Sequence, residues 1–183
     1  MRAIETELKG CFIIEPPFFK DNRGYFFESF NQKKFNDAVG NSTVFVQDNQ
    51  SYSTKGVIRG LHFQKGDFAQ AKLVRVTQGK VIDVAVDLRR QSSTYGKHIS
   101  IELSENNKKQ LFIPRGFAHG FAVLSDFAVF QYKCDNYYNK DAEAGLIYND
   151  QDLNIDWMLN KSEIIVSEKD LKLQSFKSFN KLF

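Results

Sequence analysis

The sequence predicts an all-β fold, a two-sheet jelly roll with a few short peripheral helices. Three observations carry that prediction. From Val57 onward, short segments rich in β-branched and aromatic residues follow one another closely. Turns built on glycine, asparagine and serine separate them about every 8–12 residues, the spacing of a sandwich or barrel. Residues 81–88 then alternate strictly, with Ile82, Val84, Val86 and Leu88 on one face and Asp83 and Asp87 on the other. No repeat with a period of roughly 20–50 residues interrupts the pattern. The 183 residues suit a single domain spanning 1–183, with an N-terminal strand extension and a C-terminal helical segment.

Residues 11–15 alternate weakly and are stopped by Pro16 and Pro17, which suits a short edge strand. Asp21-Asn22-Arg23-Gly24 is a turn signal, and residues 25–30 follow as a strand with Arg23 and Glu28 near its ends. Asn31 can cap a short helix whose apolar stripe is Phe35, Ala38 and Val39, and Gly40 ends it. Residues 43–46 read as a strand running into Gln47-Asp48-Asn49-Gln50, a run that reads as a solvated loop. Residues 72–77, 81–88, 99–103, 111–113, 120–124 and 127–133 are the later strands, with Gln78-Gly79-Lys80 turning the chain between the first two. After Tyr138 the pattern loosens, and residues 171–183 read as a helix that packs Phe176, Phe179 and Leu182 onto the body.

Composition narrows the function. Hydrophobic residues make up 42% and charged residues 26%, ordinary for a soluble globular protein. The 18 Phe and 7 Tyr imply broad aromatic burial, with some to spare for a partner subunit. The net charge of +3 is spread along the chain, so the basic stripe of a nucleic-acid binder is missing. Cys11 and Cys134 form no CxxC pair, which speaks against a disulfide framework or zinc site and for two free thiols in a reducing cytosol. The N-terminal residues lack the apolar run of a signal peptide, and no stretch approaches the ~18 apolar residues of a membrane span. A cytoplasmic protein is the expectation.

The chemistry centres on Arg59-Gly60-Leu61-His62-Phe63-Gln64, which sets a fixed cation, a glycine and an imidazole within one short run. His62 is the candidate general base, and Arg59 the candidate partner for the charge that a base creates. His119 follows Pro114-Arg115-Gly116, a tight turn that launches a strand, whereas His98 reads as a surface residue. A jelly-roll metal site wants several imidazoles and a carboxylate, and Gln64 stands where a His-x-His pair would need its second ligand. Tyr132 shares a face with Ala128, Phe130 and Cys134; its phenol there serves either a core backbone carbonyl or a substrate. Arg59 and His62 have opposite parity, so one pocket can hold both only if Gly60 carries a bulge. A metal-dependent jelly-roll enzyme and a non-catalytic carbohydrate-binding jelly roll are the rivals to acid–base chemistry.

Several segments together resemble the dTDP-4-dehydrorhamnose 3,5-epimerase family of cupin-like jelly rolls. They are residues 21–29, 45–49, 59–64, 72–75 and 113–121, then Tyr132-Lys133 and Asn136-Tyr137-Tyr138, in that order and spacing. The resemblance implies that His62 is the base, Asp170 the carboxylate that orients it, and Tyr132 the acid on the opposite face. It implies that Arg59 and Lys72 lie near the C4 oxygen of the sugar. Arg23, Glu28, Gln47, Asp48, Asn49, His119, Glu143 and Lys169 match substrate-binding positions, and Tyr138 the aromatic that stacks on thymine. It further implies a homodimer with exchanged strands, a dTDP-sugar substrate, and no metal or redox cofactor. Arg115 and the C-terminal tail depart from the family pattern outside these positions.

Overall fold

The computed structural model describes residues 1–181. Two antiparallel sheets form a sandwich, and an additional layer lies on the outer face of each. The chain opens with β1 (Arg2–Glu5) and β2 (Phe12–Glu15), then a hairpin of β3 (Phe18–Asp21) and β4 (Gly24–Phe27). The helix α1 (Gln32–Val39) precedes β5 (Gln47–Thr54) and β6 (Ile58–Gln64). The body is completed by β7 (Lys72–Gln78), β8 (Lys80–Asp87), β9 (His98–Ser104), β10 (Gln110–Ile113), β11 (Phe117–Val123), β12 (Phe127–Cys134) and β13 (Glu143–Gly145). A short α2 (Phe176–Lys181) comes last. The larger sheet has the order β1-β2-β10-β7-β12-β5, and the smaller β13-β6-β11-β8-β9.

Alternation sorts the side chains into layers. Val74, Val76, Val81, Ala85, Leu111, Phe121 and Phe130 fill the space between the sheets. Leu61, Val84, Ala118, Leu146, Trp157 and Phe179 pack on the outer face of the smaller sheet, under the segment that follows β13. Phe35 and Val39 of α1 cover Ile14, Leu73 and Phe112 on the outer face of the larger one. The helix begins and ends where the sequence predicts: the Asn31 side chain accepts from the Lys34 N–H, and Gly40 adopts φ +71°. Phe176 and Phe179 pack on the body as expected, but the helix is shorter than residues 171–183, and Leu182 lies outside the described residues.

Four local expectations differ from the structure. Residues 43–46 form no strand, and the polar run from Gln47 opens β5 instead. Strand β4 stops at Phe27 rather than continuing to residue 30, and β1 and β3 add strands that the pattern did not mark. His98 is half-buried at the head of β9, where burial pushes its pKa down. Among the described residues no helix is long and apolar enough to cross a membrane.

Asp83 and Asp87 do share the face opposite Val84 and Val86, and that face is the interior of the sandwich. Asp87 is wholly buried yet well satisfied, accepting from the Arg89 backbone and guanidinium and from the Ser92 and Thr94 hydroxyls at 2.6–2.9 Å. Burial pushes its pKa up, but these donors outweigh it and hold the carboxyl at about 2. A depressed pKa contributes stability that is present above the ordinary value of 3.8 and lost as pH falls toward 2. Asp87→Asn is therefore expected to cost about 2 kcal/mol at neutral pH. In urea titrations that deficit should shrink steadily below about pH 4; a deficit independent of pH would refute this account.

Candidate active site

The cavity between the sheets is organised by a bulge. In the pairing of β6 with β11, His62 faces His119 and Arg59 faces Phe121, so Gly60 and Leu61 together oppose the single residue Gly120. The extra residue reverses parity, and Arg59 and His62 share the inner face despite their odd spacing. Leu61 turns outward into the core of the outer layer and is fully buried there. Gly60 adopts φ +115°, and a Cβ on it would come within 2.6 Å of both Gly120 Cα and the His119 carbonyl oxygen. A Cβ on Gly120 would meet the Arg59 carbonyl oxygen at 2.7 Å. Two glycines back to back let the strands cross this closely. The Gly60–Leu61 peptide bond is cis.

His62 is oriented from the far end of the chain. Asp170 opens a 3-10 turn, Asp170–Lys172, and its N–H donates to Ser167 Oγ at 3.1 Å. Its Oδ1 lies 2.7 Å from His62 Nε2, and its Oδ2 accepts from the Gly60 N–H at 3.3 Å. Burial pushes the Asp170 pKa up, but the His62 bond and the Gly60 N–H outweigh it and the net shift is downward. An ionised Asp170 selects the tautomer with the proton on Nε2, which leaves Nδ1 as the basic nitrogen.

Across from this pair, Lys72 on β7 and Tyr132 on β12 approach from the larger sheet. The Lys72 ammonium stands 5.9 Å from the centre of the Tyr132 ring, and burial pushes its pKa down. Burial pushes the Tyr132 phenol up, so it keeps its proton at neutral pH. The Arg59 guanidinium is held by Ser53 Oγ at 2.9 Å through Nε. His119 is buried, with Nε2 2.9 Å from Asp83 Oδ2 and its ring stacked against Phe130. Together these groups line a cavity of about 600 Å³ that also takes in Asn49 and Lys169.

A side lobe of about 250 Å³ shares Asn49, His62, Lys72 and Tyr132 and extends to Gln47, Tyr138 and Glu143. Glu143 Oε2 accepts from both the Tyr138 hydroxyl, at 2.9 Å, and Lys169 Nζ, at 2.6 Å. The Tyr138 N–H donates to Gln47 Oε1, and Gln64 Oε1 takes the N–H of Asn139, so two inward amides anchor this loop. Arg23, Glu28 and Asp48 stand apart. Arg23 is exposed on the β3–β4 hairpin and paired with Asp21, Glu28 binds Lys34, and Asp48 points to Lys133 on the outer face.

The sequence profile of the dTDP-4-dehydrorhamnose 3,5-epimerase family matches residues 5–178. The chain belongs to that family. It is 53% identical over 173 residues to dTDP-4-dehydrorhamnose 3,5-epimerase of Escherichia coli (strain K12), covering 94% of this chain and 93% of the relative. The crystal structure of the enzyme of that name from Elizabethkingia anophelis superposes with a TM-score of 0.95 at 56% identity, covering 98% of each chain. A structure from Legionella pneumophila in complex with dTDP-4-keto-L-rhamnose superposes at 0.92, with 45% identity and 96% and 93% coverage. The cupin-like jelly roll expected from the motifs is the fold of these relatives.

Sequence reasoning passed over the supporting groups: Ser53 behind Arg59, Ser167 behind Asp170, and Asp83 behind His119. Only Asp83 left a signal, as a carboxylate within a strand otherwise fit for a core. The bulge itself yields a test. Gly60→Ala should cost at least about 2 kcal/mol, from positive φ and backbone contact together. Gly66→Ala, at φ +57° with open space around it, should cost only about 1 kcal/mol. Equal urea midpoints for the two variants would contradict the close packing at Gly60.

Proposed function

We propose that this chain inverts C3 and C5 of dTDP-4-dehydro-6-deoxy-D-glucose, giving dTDP-4-dehydro-L-rhamnose. The observation that carries the reading is His62, held by Asp170, facing the same cavity as Tyr132 and the half-buried Lys72. It acts as an isomerase. His62 Nδ1 takes the proton from a carbon beside the C4 ketone, and the electron pair of the C–H bond moves onto the C4 oxygen. The Lys72 ammonium and the Arg59 guanidinium stabilise that enolate. Tyr132 returns a proton to the same carbon from the opposite face, and solvent resets both groups. General base catalysis contributes about 10²–10⁴ in rate, too little alone for a carbon acid. One preorganised oxyanion donor adds roughly 2.7–4 kcal/mol, so the two cations supply the larger share.

Because C3 and C5 both flank C4, one enolate-stabilising site serves both centres. No electrons are gained or lost overall, so the chemistry as written calls on no redox cofactor. Tyr138 stacks on the thymine, with Gln47, Asn49, His119, Glu143 and Lys169 holding the rest of the nucleotide sugar. Two buried, unpaired cysteines suit a reducing cytoplasm.

The chain works as a homodimer. Support comes from the β3–β4 hairpin, whose Phe19 and Phe26 are 62% and 72% exposed and which carries Arg23 away from its own cavity. In this reading the hairpin delivers Arg23 to the partner's cavity, Glu28 beside it, and Asp48 works at that boundary. Light scattering should give twice the chain mass of 21.1 kDa; a monomer at micromolar concentration would exclude the arrangement.

The chemistry is tested by NMR of the dTDP-4-keto sugar in deuterated water, which reads each carbon separately. The wild-type protein should exchange the protons at both C3 and C5. His62→Ala should abolish exchange, and normal deuterium wash-in by that variant defeats the assignment. Tyr132→Phe should impair epimerisation while sparing some exchange, and full turnover would assign the acid to another group.

A further inference from the structure

Two carboxylates, Asp83 and Asp87, lie on the inner face of β8, both with no exposed surface, and their environments differ sharply. Asp87 is surrounded by donors and accounts for itself as a structural anchor. Asp83 has one, the His119 ring, on Oδ2. Among the described residues its Oδ1 is the buried side-chain polar atom with no hydrogen-bond partner. A buried, half-satisfied carboxylate costs stability, so packing alone gives no reason for it. The groups beside it do. His119 stands directly across the strand pair from His62, and Lys72 lines the same cavity.

We propose that Asp83 is a positioning residue of the reaction, fixing the ring of His119 and supplying the counter-charge to the Lys72 ammonium. The inference rests on the reading above, in which Lys72 must be cationic to stabilise the enolate. No acceptor in the protein binds the Lys72 ammonium among the described residues, and burial pushes its pKa down. Cys134 on β12, Asp83 on β8 and Glu143 on β13 oppose that shift. The Cys134 thiol is itself pushed up to about 11 by burial, so at neutral pH it carries no charge to offer. Glu143 already neutralises Lys169. Arg59 and His62 on β6 and His119 on β11 are neutral or cationic, and Tyr132 on β12 keeps its proton. Asp170 is already bonded to the His62 ring and the Gly60 N–H, which leaves Asp83, just behind His119, as the carboxylate that opposes the shift at Lys72 with no cation of its own.

The same carboxylate settles the second imidazole. With Nε2–H donating to Asp83, the neutral ring of His119 keeps Nδ1 as an acceptor. His119 then acts as a fixed hydrogen-bonding wall for the substrate. It adds no positive charge beside Lys72.

Asp83→Asn keeps the shape and removes the charge. Proton exchange and turnover are measured from pH 6 to 9, with urea stability and dTDP affinity measured on the same protein. A kcat at least ten-fold lower at pH 8, with the alkaline limb moved to lower pH, is expected, because Lys72 loses its proton as pH rises and the neutral amide no longer opposes that loss. The urea midpoint should hold or rise, and the affinity for dTDP should stay within two-fold, since Asp83 takes no part in the lobe around Tyr138 that the reading gives to the nucleotide. A variant with the wild-type pH profile, or one with full kcat and reduced stability, overturns the proposal and leaves the epimerase reading intact. A wild-type protein that exchanges neither carbon overturns both. Should the variant fail to fold, ¹⁵N-histidine NMR of the wild-type protein decides: His119 fixed as the Nε2–H tautomer across this range upholds the proposal, and the Nδ1–H tautomer overturns it.

Discussion

The bulge at Gly60 is the constraint on which the rest of the site depends. A straight β6 would present either Arg59 or His62 to the cavity and send the other to the outer layer. One extra residue against Gly120 brings both inward, and in the same step throws Leu61 outward. Leu61 then exchanges backbone hydrogen bonds with Leu146 and packs in the cluster that holds Trp157 and Phe179. That cluster seats the C-terminal segment, which carries Asp170 back to within 2.7 Å of His62. Asp170 also accepts the Gly60 N–H, so the carboxylate that orients the base is bonded to the bulge that aims it. The proposed base, the carboxylate beside it and the cation are all placed by one irregularity in one strand.

The interior also balances charge. Lys72 enters from the larger sheet and Arg59 from the smaller, Asp83 stands on the smaller sheet and Asp170 on the C-terminal segment, and each carboxylate takes one imidazole. The energetics differ from those of a surface ion pair. Burial magnifies every interaction and equally every unmet need, so a group left half-satisfied, such as Asp83, signals a demand other than stability. Asp87, on the same face of the same strand, shows what a carboxylate kept for stability looks like.

Local grammar made much of the fold legible. Asn31 and Gly40 bound α1 because capping is a short-range effect, and the alternation of residues 81–88 marked β8 because both its faces meet cores. The same logic explains the failure at β5. Its inward residues, Gln47, Asn49, Ser51 and Ser53, line the cavity or brace Arg59, so hydrophobic periodicity is silent where the strand is. Asp170 was reachable only through the family resemblance, since more than a hundred residues separate it from His62 and no local pattern ties them. Arg23 and Glu28 lie away from the cavity, paired with Asp21 and Lys34, so their segment resembles the family's without joining the site within this chain.

Inversion at carbon needs a base and an acid on opposite faces of one ring, and a sandwich offers two such walls. His62 stands on β6 of the smaller sheet, and Tyr132 on β12 of the larger. Packed sheets lie about 10 Å apart, enough for a sugar ring between their side chains. Lys72 comes from β7, next to β12, and Arg59 from the bulge in β6, so cations reach the cavity from both walls. On the proposed mechanism, an enolate held between them is neutralised whether the ring presents C3 or C5. The sheet architecture itself, more than any single residue, is what suits this cavity to inverting the two centres that flank one ketone.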